Sequence, residues 1–292
     1  MTITEFIRET AARFETAELF YGHGTDNADD EAVYLIYGSL GLDYAAGQET
    51  INRELTNREL ALLEERVERR IEERIPVAYL VNEAWFCGLP FFSDPRALIP
   101  RSPIAELIAN GFQPLLEQAP DSILDMCTGS GCIGIACAVA FPNAQVDLVD
   151  ISEDCLALAR ENIGRHGASE RVSAVQSDLF ENLQRKYDLI VANPPYVSGE
   201  EIAELPAEYL HEPRLGLESA EQGLQIPLRI LQQAADYLDD DGLLIMEVGY
   251  SWEQLQSRLA DVPLLWLEFE SGGDGVMAIT ASELVKFREM LI

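Results

Sequence analysis

From about residue 104 onward, short apolar runs recur with helical stretches between them. The runs are Ser122 to Met126, Gln145 to Val149, Val172 to Gln176, Tyr187 to Ala192 and Leu243 to Val248. Strands that alternate with helices pair in parallel, because each helix carries the chain back to the starting edge and covers a face of the sheet. Two further runs, Leu265 to Phe269 and Val276 to Thr280, flank Ser271-Gly272-Gly273-Asp274-Gly275 and read as a closing hairpin. The expectation for residues 104–292 is an α/β fold with a seven-stranded, mostly parallel sheet.

Residues 1–76 follow a helical period instead. Thr2 and Glu5 have capping-box spacing, and Ile3, Phe6, Ile7 and Phe14 share a face. Asn27 to Asp30 read as a break before a short helix over Ala32 to Leu42. Thr56 and Glu59 open a further helix with Leu60, Leu63, Val67 and Ile71 on its apolar side. Its charged runs, Glu64-Glu65-Arg66 and Glu68-Arg69-Arg70, read as a solvated face. Pro76 ends the region. Residues 77–103 form a connector. Val77 to Val81 and Trp85 to Leu89 read as two short strands about an Asn82-Glu83 turn, followed by Pro90, Pro95, Pro100 and Pro103.

Charge narrows the partners. The 292 residues hold 51 acidic and 20 basic side chains, a net charge of −31. Binding a phosphate backbone depends on Lys and Arg displacing counterions, so direct nucleic-acid binding is not expected and a basic protein suits the chain better. Cys87, Cys127, Cys132, Cys137 and Cys155 contain no Cys-x-x-Cys pair, so neither a disulfide framework nor a metal site is expected. The start, Met1-Thr2-Ile3-Thr4-Glu5, lacks the basic and apolar regions of a signal peptide, and no run is long enough to span a membrane. These features together read as cytoplasmic.

The first chemical signal is Asp125-Met126-Cys127-Thr128-Gly129-Ser130-Gly131, at a strand end and opening a helix. Gly129 and Gly131 permit a tight turn and close approach of a ligand to the main chain. Gly129, Gly131 and Gly134 match G-x-G-x-x-G by letter, a pattern that several nucleotide-like cofactors share. Asp125 favours S-adenosylmethionine over a nicotinamide dinucleotide, because a carboxylate there repels pyrophosphate and welcomes a cationic methionyl group, directly or through water. Asp150, ending the next strand, can accept from ribose hydroxyls. Asp178 can accept from an adenine amino group while Leu179 packs on its ring. Strand-end capping is the competing reading for Asp125 and Asp150, and a plain turn residue for Asp178.

The second signal is Asn193-Pro194-Pro195-Tyr196, ending the fourth strand. Asn193 offers a side-chain oxygen, and Pro194 has a carbonyl but no N–H. Two adjacent acceptors on a backbone fixed by proline can hold the two hydrogens of a planar –NH₂ group. Tyr196 supplies a flat wall. Asn193, Pro194 and Tyr196 are the candidate catalytic residues. A plain Asn-Pro turn is the alternative.

These residues resemble the HemK/Prm group of protein-glutamine N5-methyltransferases. The resemblance spans nearly the whole chain: the helical N-terminal region, Arg74-Ile75-Pro76-Val77-Ala78-Tyr79-Leu80 at the connector, Leu98-Ile99-Pro100-Arg101, the glycine loop and Asn-Pro-Pro-Tyr. Release-factor enzymes of the group usually continue Pro-Arg with Pro-Asp-Thr-Glu. Here Arg101 is followed by Ser102-Pro103-Ile104-Ala105-Glu106-Leu107, which together with Cys127 and Cys132 is similar to the PrmB branch. That branch methylates a glutamine of the third large-subunit ribosomal protein. Cys127 replaces a glycine common in the wider group, and Leu179 stands where an aromatic is frequent. The resemblance implies a class I, Rossmann-like methyltransferase domain behind a small helical domain (1–76) that recognises substrate. It implies S-adenosylmethionine held by Asp125, Cys127, Thr128, Gly129, Ser130, Gly131, Asp150, Asp178, Leu179 and Asn193. It further implies glutamine bound by Asn193, Pro194, Pro195 and Tyr196 with Arg101, in a basic ribosomal protein. Methylation of release factors, adenine-N6 methylation of nucleic acid and a non-catalytic adaptor are the competing functions. The low content of basic residues opposes the second of these.

Overall fold

The structure, a computed structural model, describes residues 1–45, 47–270 and 272–291. Ser271, in the expected closing turn, lies outside the described residues. Nine strands are described in two sheets. A hairpin pairs β1 (Glu83–Phe86) with β2 (Leu89–Phe92). The main sheet contains β3 (Ser122–Met126), β4 (Gln145–Asp150), β5 (Val172–Gln176), β6 (Tyr187–Ala192), β7 (Leu238–Glu247), β8 (Leu265–Trp266) and β9 (Val276–Thr280). Its order is β5-β4-β3-β6-β7-β9-β8, parallel through β7, with β9 antiparallel to β7 and β8. The order reverses between β4-β3 and β3-β6. Parallel sheets of this kind open a crevice beyond their carboxyl ends at such a switch point.

Burial follows the pattern of a sheet covered on both sides. Leu124, Met126, Ile190, Leu244 and Met246 face one apolar core with the helix Gln225–Tyr237. Ile123, Leu148, Leu189, Val191 and Ile245 face another with the helix Cys132–Ala140. A third core joins Ile3, Phe6, Phe14, Leu35, Leu63 and Val67 of the N-terminal helices to Val77, Ala78 and Ile99 of the connector. Both capping boxes form: Thr2 with Glu5 opens Ile3–Thr16, and Thr56 with Glu59 opens Asn57–Glu72. Among the described residues no helix is long and apolar enough to cross a membrane.

Four local expectations are corrected. The supposed break at Asn27 is a helix start. Its side chain accepts from Asp30 N at 2.9 Å, and Asp29, Asp30 and Glu31 occupy the first turn of Ala28–Leu40, where the helix dipole favours carboxylates. Val77–Val81 is a short buried helix, not a strand, and Asn82 ends it at φ 56°. Periodicity cannot separate a short buried helix from a buried strand. The hairpin turn therefore falls at Cys87 and Gly88, with φ 51° and 72°, rather than at Asn82-Glu83. The third correction concerns β8, which is only two residues long, with one further bond from Leu267 N to Val276 O.

The fourth correction is Arg70. It is fully buried, not solvated. Its Nε donates to Glu31 at 2.6 Å, Nη1 to Glu208 at 3.0 Å and Nη2 to the Phe20 carbonyl at 2.9 Å. Glu208 belongs to the segment after β6, so this ion cluster fastens the N-terminal helices to the wall of the crevice.

Candidate active site

The ends of β3, β4, β6 and β7 set the site. Register pairs Met126 with Val149 and with Ala192, and Ala192 with Met246. One residue further on, Cys127, Asp150, Asn193 and Glu247 leave neighbouring strands side by side. Above them lies a cavity of about 740 Å³. Cys127 through Ser130, Asp150, Asp178 and Leu179 line one part of it. Asn193, Pro195, Tyr196, Arg101 and Glu247 line another. The sequence motifs, spread between Arg101 and Tyr196, thus meet in one crevice.

The glycine loop is pinned from below. Asp125, expected to meet the cofactor directly or through water, is fully buried and does not line the cavity. Its Oδ2 accepts from Thr128 Oγ1 at 2.5 Å and from Gly134 N at 2.8 Å, so it braces both ends of the turn. Burial raises its carboxyl to about 7, against the two donors. Among the described residues its Oδ1 has no partner. Cys127 and Gly131 take φ of 60° and 85°, and a Cβ on Gly131 would stand 3.0 Å from Leu148. Glycine is thus required at 131 by both conformation and space. Asp150, whose carboxyl burial pushes up, accepts from Gly129 N and Ser152 N, each at 2.9 Å.

Leu179, at φ 51°, turns its buried side chain to the cavity below Asp178, which pairs with Arg229 at 3.0 Å. Three guanidinium groups line the cavity, and each is matched by carboxylate. Arg96 is held by Asp94 and Glu161, Arg101 by Glu212 and Arg229 by Asp178. Among the described residues no free cation is left to meet a pyrophosphate. Strand-end carboxylate, an apolar wall at Leu179 and a glycine turn fit an adenosyl group bearing a positive centre better than a dinucleotide.

At the end of β6, Asn193 is half-buried and Pro194 is buried. Pro194 is the one residue of its motif that does not line the cavity. Among the described residues neither the Asn193 side chain nor the Pro194 carbonyl has a hydrogen-bond partner. The rest of the motif is tightly held. Ser251 Oγ donates to the Tyr196 carbonyl at 2.9 Å, and the Tyr196 hydroxyl donates to Glu247 at 2.9 Å. A Cβ on Gly249 would lie 2.5 Å from the Tyr196 ring, so Gly249 is what lets the ring lie there. Ser102 Oγ donates to the other oxygen of Glu247 at 2.6 Å. Burial raises both the Glu247 carboxyl and the Tyr196 hydroxyl.

Arg101 does not point freely at a substrate. Its two terminal nitrogens grip Glu212, each at 2.6 Å, and its guanidinium lies 5.4 Å from the centre of the Tyr209 ring. Burial pushes the Glu212 carboxyl up, but Arg101 and His23 outweigh it and hold it at about 2. Glu212, Glu247, Ser102 and Tyr209 went unread in the sequence. Glu247 had a signal available: it is an acid closing the apolar run Leu243 to Met246 at the same sheet edge as Asp125 and Asp150. Tyr209 sits in a single 3₁₀ turn, Ala207–His211, with Glu212 directly after it, and neither carried a signal.

A Rossmann-like sheet whose switch point carries a glycine turn, a strand-end carboxylate and a cavity-lining amide motif defines a class I methyltransferase. Residues 106–262 match the family described as "Methyltransferase small domain". The chain is 43% identical to the ribosomal protein uL3 glutamine methyltransferase of Francisella tularensis subsp. tularensis, over 99% of this chain and 93% of that one. It is 49% identical to the enzyme of the same name from Xanthomonas campestris pv. campestris, over 97% and 92%. The chain belongs to this methyltransferase family. Its fold is also that of the hMettl16 catalytic domain solved with the MAT2A 3'UTR hairpin 6, at 16% identity and a TM-score of 0.53, covering 79% of this chain and 85% of that one.

Proposed function

We propose that the chain transfers a methyl group from S-adenosylmethionine to the side-chain amide nitrogen of a glutamine in ribosomal protein uL3. The observation that carries this reading is the Asn193 side chain, which lines the cavity at a strand end beside the glycine turn and, among the described residues, has no hydrogen-bond partner.

In this reading Cys127 through Gly131, Asp150, Asp178 and Leu179 hold the cofactor, which supplies an electrophilic methyl group when bound. Asp125 acts one layer below, by fixing the loop. Asn193 and the Pro194 carbonyl accept the two N–H groups of the glutamine amide. An amide nitrogen is a feeble nucleophile because its lone pair is delocalised into the carbonyl. Accepting hydrogen bonds from both N–H groups returns electron density to nitrogen and aims the lone pair across the crevice, and the nitrogen releases one of its two protons to solvent as it gains the methyl group. The prolines hold the acceptors in place beforehand, so little freedom is lost when the substrate arrives. Tyr196, fixed through Glu247, walls the amide in. Residues 1–76 and the connector 77–103 hold the polypeptide around the glutamine. The net charge of −31 suits a basic ribosomal protein met in the cytoplasm.

Mass spectrometry of uL3 incubated with enzyme and cofactor tests the proposal: one methyl on one glutamine is expected, and no added methyl while the cofactor binds would refute it. Release factors and RNA assayed alongside distinguish the related reactions. Asn193→Ala should lower kcat by about a hundredfold or more while cofactor affinity changes by less than about threefold. Equal losses in both would remove the substrate role of Asn193.

A further inference from the structure

The segment from Ser198 to Gln222, between the amide motif and the helix Gln225–Tyr237, has two unlike sides. Its inward side is fixed. Glu208 accepts from Arg70 and from Phe20 N at 3.1 Å, and Glu212 accepts from Arg101 and from Ile99 N at 2.9 Å. Between them the Tyr209 ring packs 4.7 Å from His23 and 5.6 Å from Phe20. His211 adds a bond to the Glu73 carbonyl at 2.7 Å. The loop is thereby built onto the N-terminal helices and the connector as a rigid wall.

Its outward side is apolar and unpaired. Leu210, next to the cavity-lining Tyr209, is 76% exposed, and the cavity-lining Leu215 is 59% exposed. Tyr250, across the mouth, is 85% exposed. Large apolar side chains left in water around the mouth of one cavity, on a frame held this firmly, mark a contact surface. Glu200, Glu204 and Glu221 stand on the same segment, exposed and, among the described residues, without a cation. The acids that face inward took Arg70 and Arg101. Further out, Glu218 pairs with the exposed Arg214, which leaves Glu200, Glu204 and Glu221 without a cation among the described residues.

We propose that this outer side, Leu210, Leu215 and Tyr250 with the carboxylates Glu200, Glu204 and Glu221, is the docking surface for the stretch of basic protein that flanks the target glutamine. The inference rests on the proposed function and specifies where that substrate is gripped. Two features select this occupant. Leu215 and Tyr250 line the cavity that takes the glutamine, so a chain delivering the side chain must pass them. Its unpaired charge is all negative, so it selects lysine or arginine beside apolar residues. A nucleic acid would meet repulsion there.

The test uses the full chain with uL3 as substrate. The wild type is compared with Glu200→Lys/Glu204→Lys/Glu221→Lys and, separately, with Leu210→Ser. All of these positions are exposed, so folding is preserved, and calorimetric titration of S-adenosylmethionine confirms it. The triple variant is expected to raise KM for uL3 about tenfold at low salt, with kcat at saturation and cofactor affinity unchanged. The gap should shrink several-fold between about 50 and 500 mM salt. Leu210→Ser should raise KM at both salt concentrations. Unchanged KM in both variants, with the wild type methylating uL3, overturns the docking surface alone. A wild type that binds cofactor but leaves uL3 unmodified overturns the function and the surface with it.

Discussion

The Tyr196 hydroxyl donates to Glu247 at 2.9 Å, and Glu247 is held from its other oxygen by Ser102 at 2.6 Å. One buried carboxylate therefore ties the amide motif at the end of β6 to the connector that precedes the catalytic sheet. Removing it frees the hydroxyl end of a ring otherwise held by packing against Gly249 and the apolar core. Glu247→Ala should lower kcat about tenfold to a hundredfold through misplacement of the substrate wall, since small losses of alignment cost that much. Glu247→Gln, which keeps an acceptor for one of the two hydroxyls, should recover most of the loss. Cofactor affinity, read by calorimetry, should stay within about threefold for both. Full turnover by the alanine variant would show that Tyr196 needs no such anchor.

Arg101 and Glu212 make a different prediction, in stability. Glu212 is buried, yet Arg101 holds its carboxyl at about 2 rather than the ordinary 4.5. A folded-state pKa below the unfolded value means that the ionised form stabilises the fold. That contribution is present above pH 4.5 and is lost as pH falls from there to about 2. The shift corresponds to roughly 3 kcal/mol. Glu212→Gln should therefore be less stable than the wild type near pH 7. The difference should narrow as pH drops below 4.5, as followed by urea titration at several pH values. A constant gap across that range would mean that Glu212 contributes shape, not charge.

Arg70 carries the third expectation. It bridges Glu31 and Glu208, and all three are sealed from water. Arg70→Met would leave Glu31 without its buried cation and Glu208 with only the more distant Arg74, at 3.8 Å, a loss of about 3–5 kcal/mol. Arg69→Met, one position earlier on the same helix but half-exposed, should cost under about 1 kcal/mol. Thermal melts of the two variants decide the matter. Equal losses would place Arg70 functionally on the surface, where its sequence neighbours suggested it lay.

That contrast shows what a sequence like this can disclose. The strands β3 to β6 and β9 were legible to within a residue, because a five- or six-residue apolar run ended by a carboxylate or an amide leaves little choice of element. The same strand ends disclosed Asp150 and Asn193 as cavity residues. Arg70 was not legible, since its spacing matches an exposed face and its partners Glu31 and Glu208 lie 39 and 138 residues away. Tyr209 and Glu212 were hidden for the same reason: they fall in or just after a single 3₁₀ turn, with no period to read. Val77 to Val81 misled because β-branched and aromatic residues buried on all sides suit a short helix as well as a strand. Local pattern thus reveals the sheet and its edge. The ion pairs that bolt the helical region to the crevice arise only from the tertiary arrangement.

Asp125 gives the last prediction. Its carboxyl sits at about 7 in the folded chain against 3.8 when unperturbed, because burial outweighs the donors Thr128 and Gly134. Here the sign is opposite to that of Glu212. A raised folded-state pKa means that the fold prefers the protonated acid. The associated stability is complete below pH 3.8 and is lost as pH rises through about 7. Asp125→Asn keeps an acceptor for Thr128 and Gly134 and removes the buried charge, while placing an amide N–H where Oδ1, among the described residues, has no partner. At pH 5.5 that unsatisfied donor should leave the variant no more stable than the wild type. At pH 8.5 the wild type bears its buried charge and the variant does not, so the melting temperature of Asp125→Asn should move upward relative to the wild type. Melts at the two pH values check the relation. A difference that stays fixed, or moves against the variant as pH rises, would show that the acid beneath the glycine turn is already ionised at low pH.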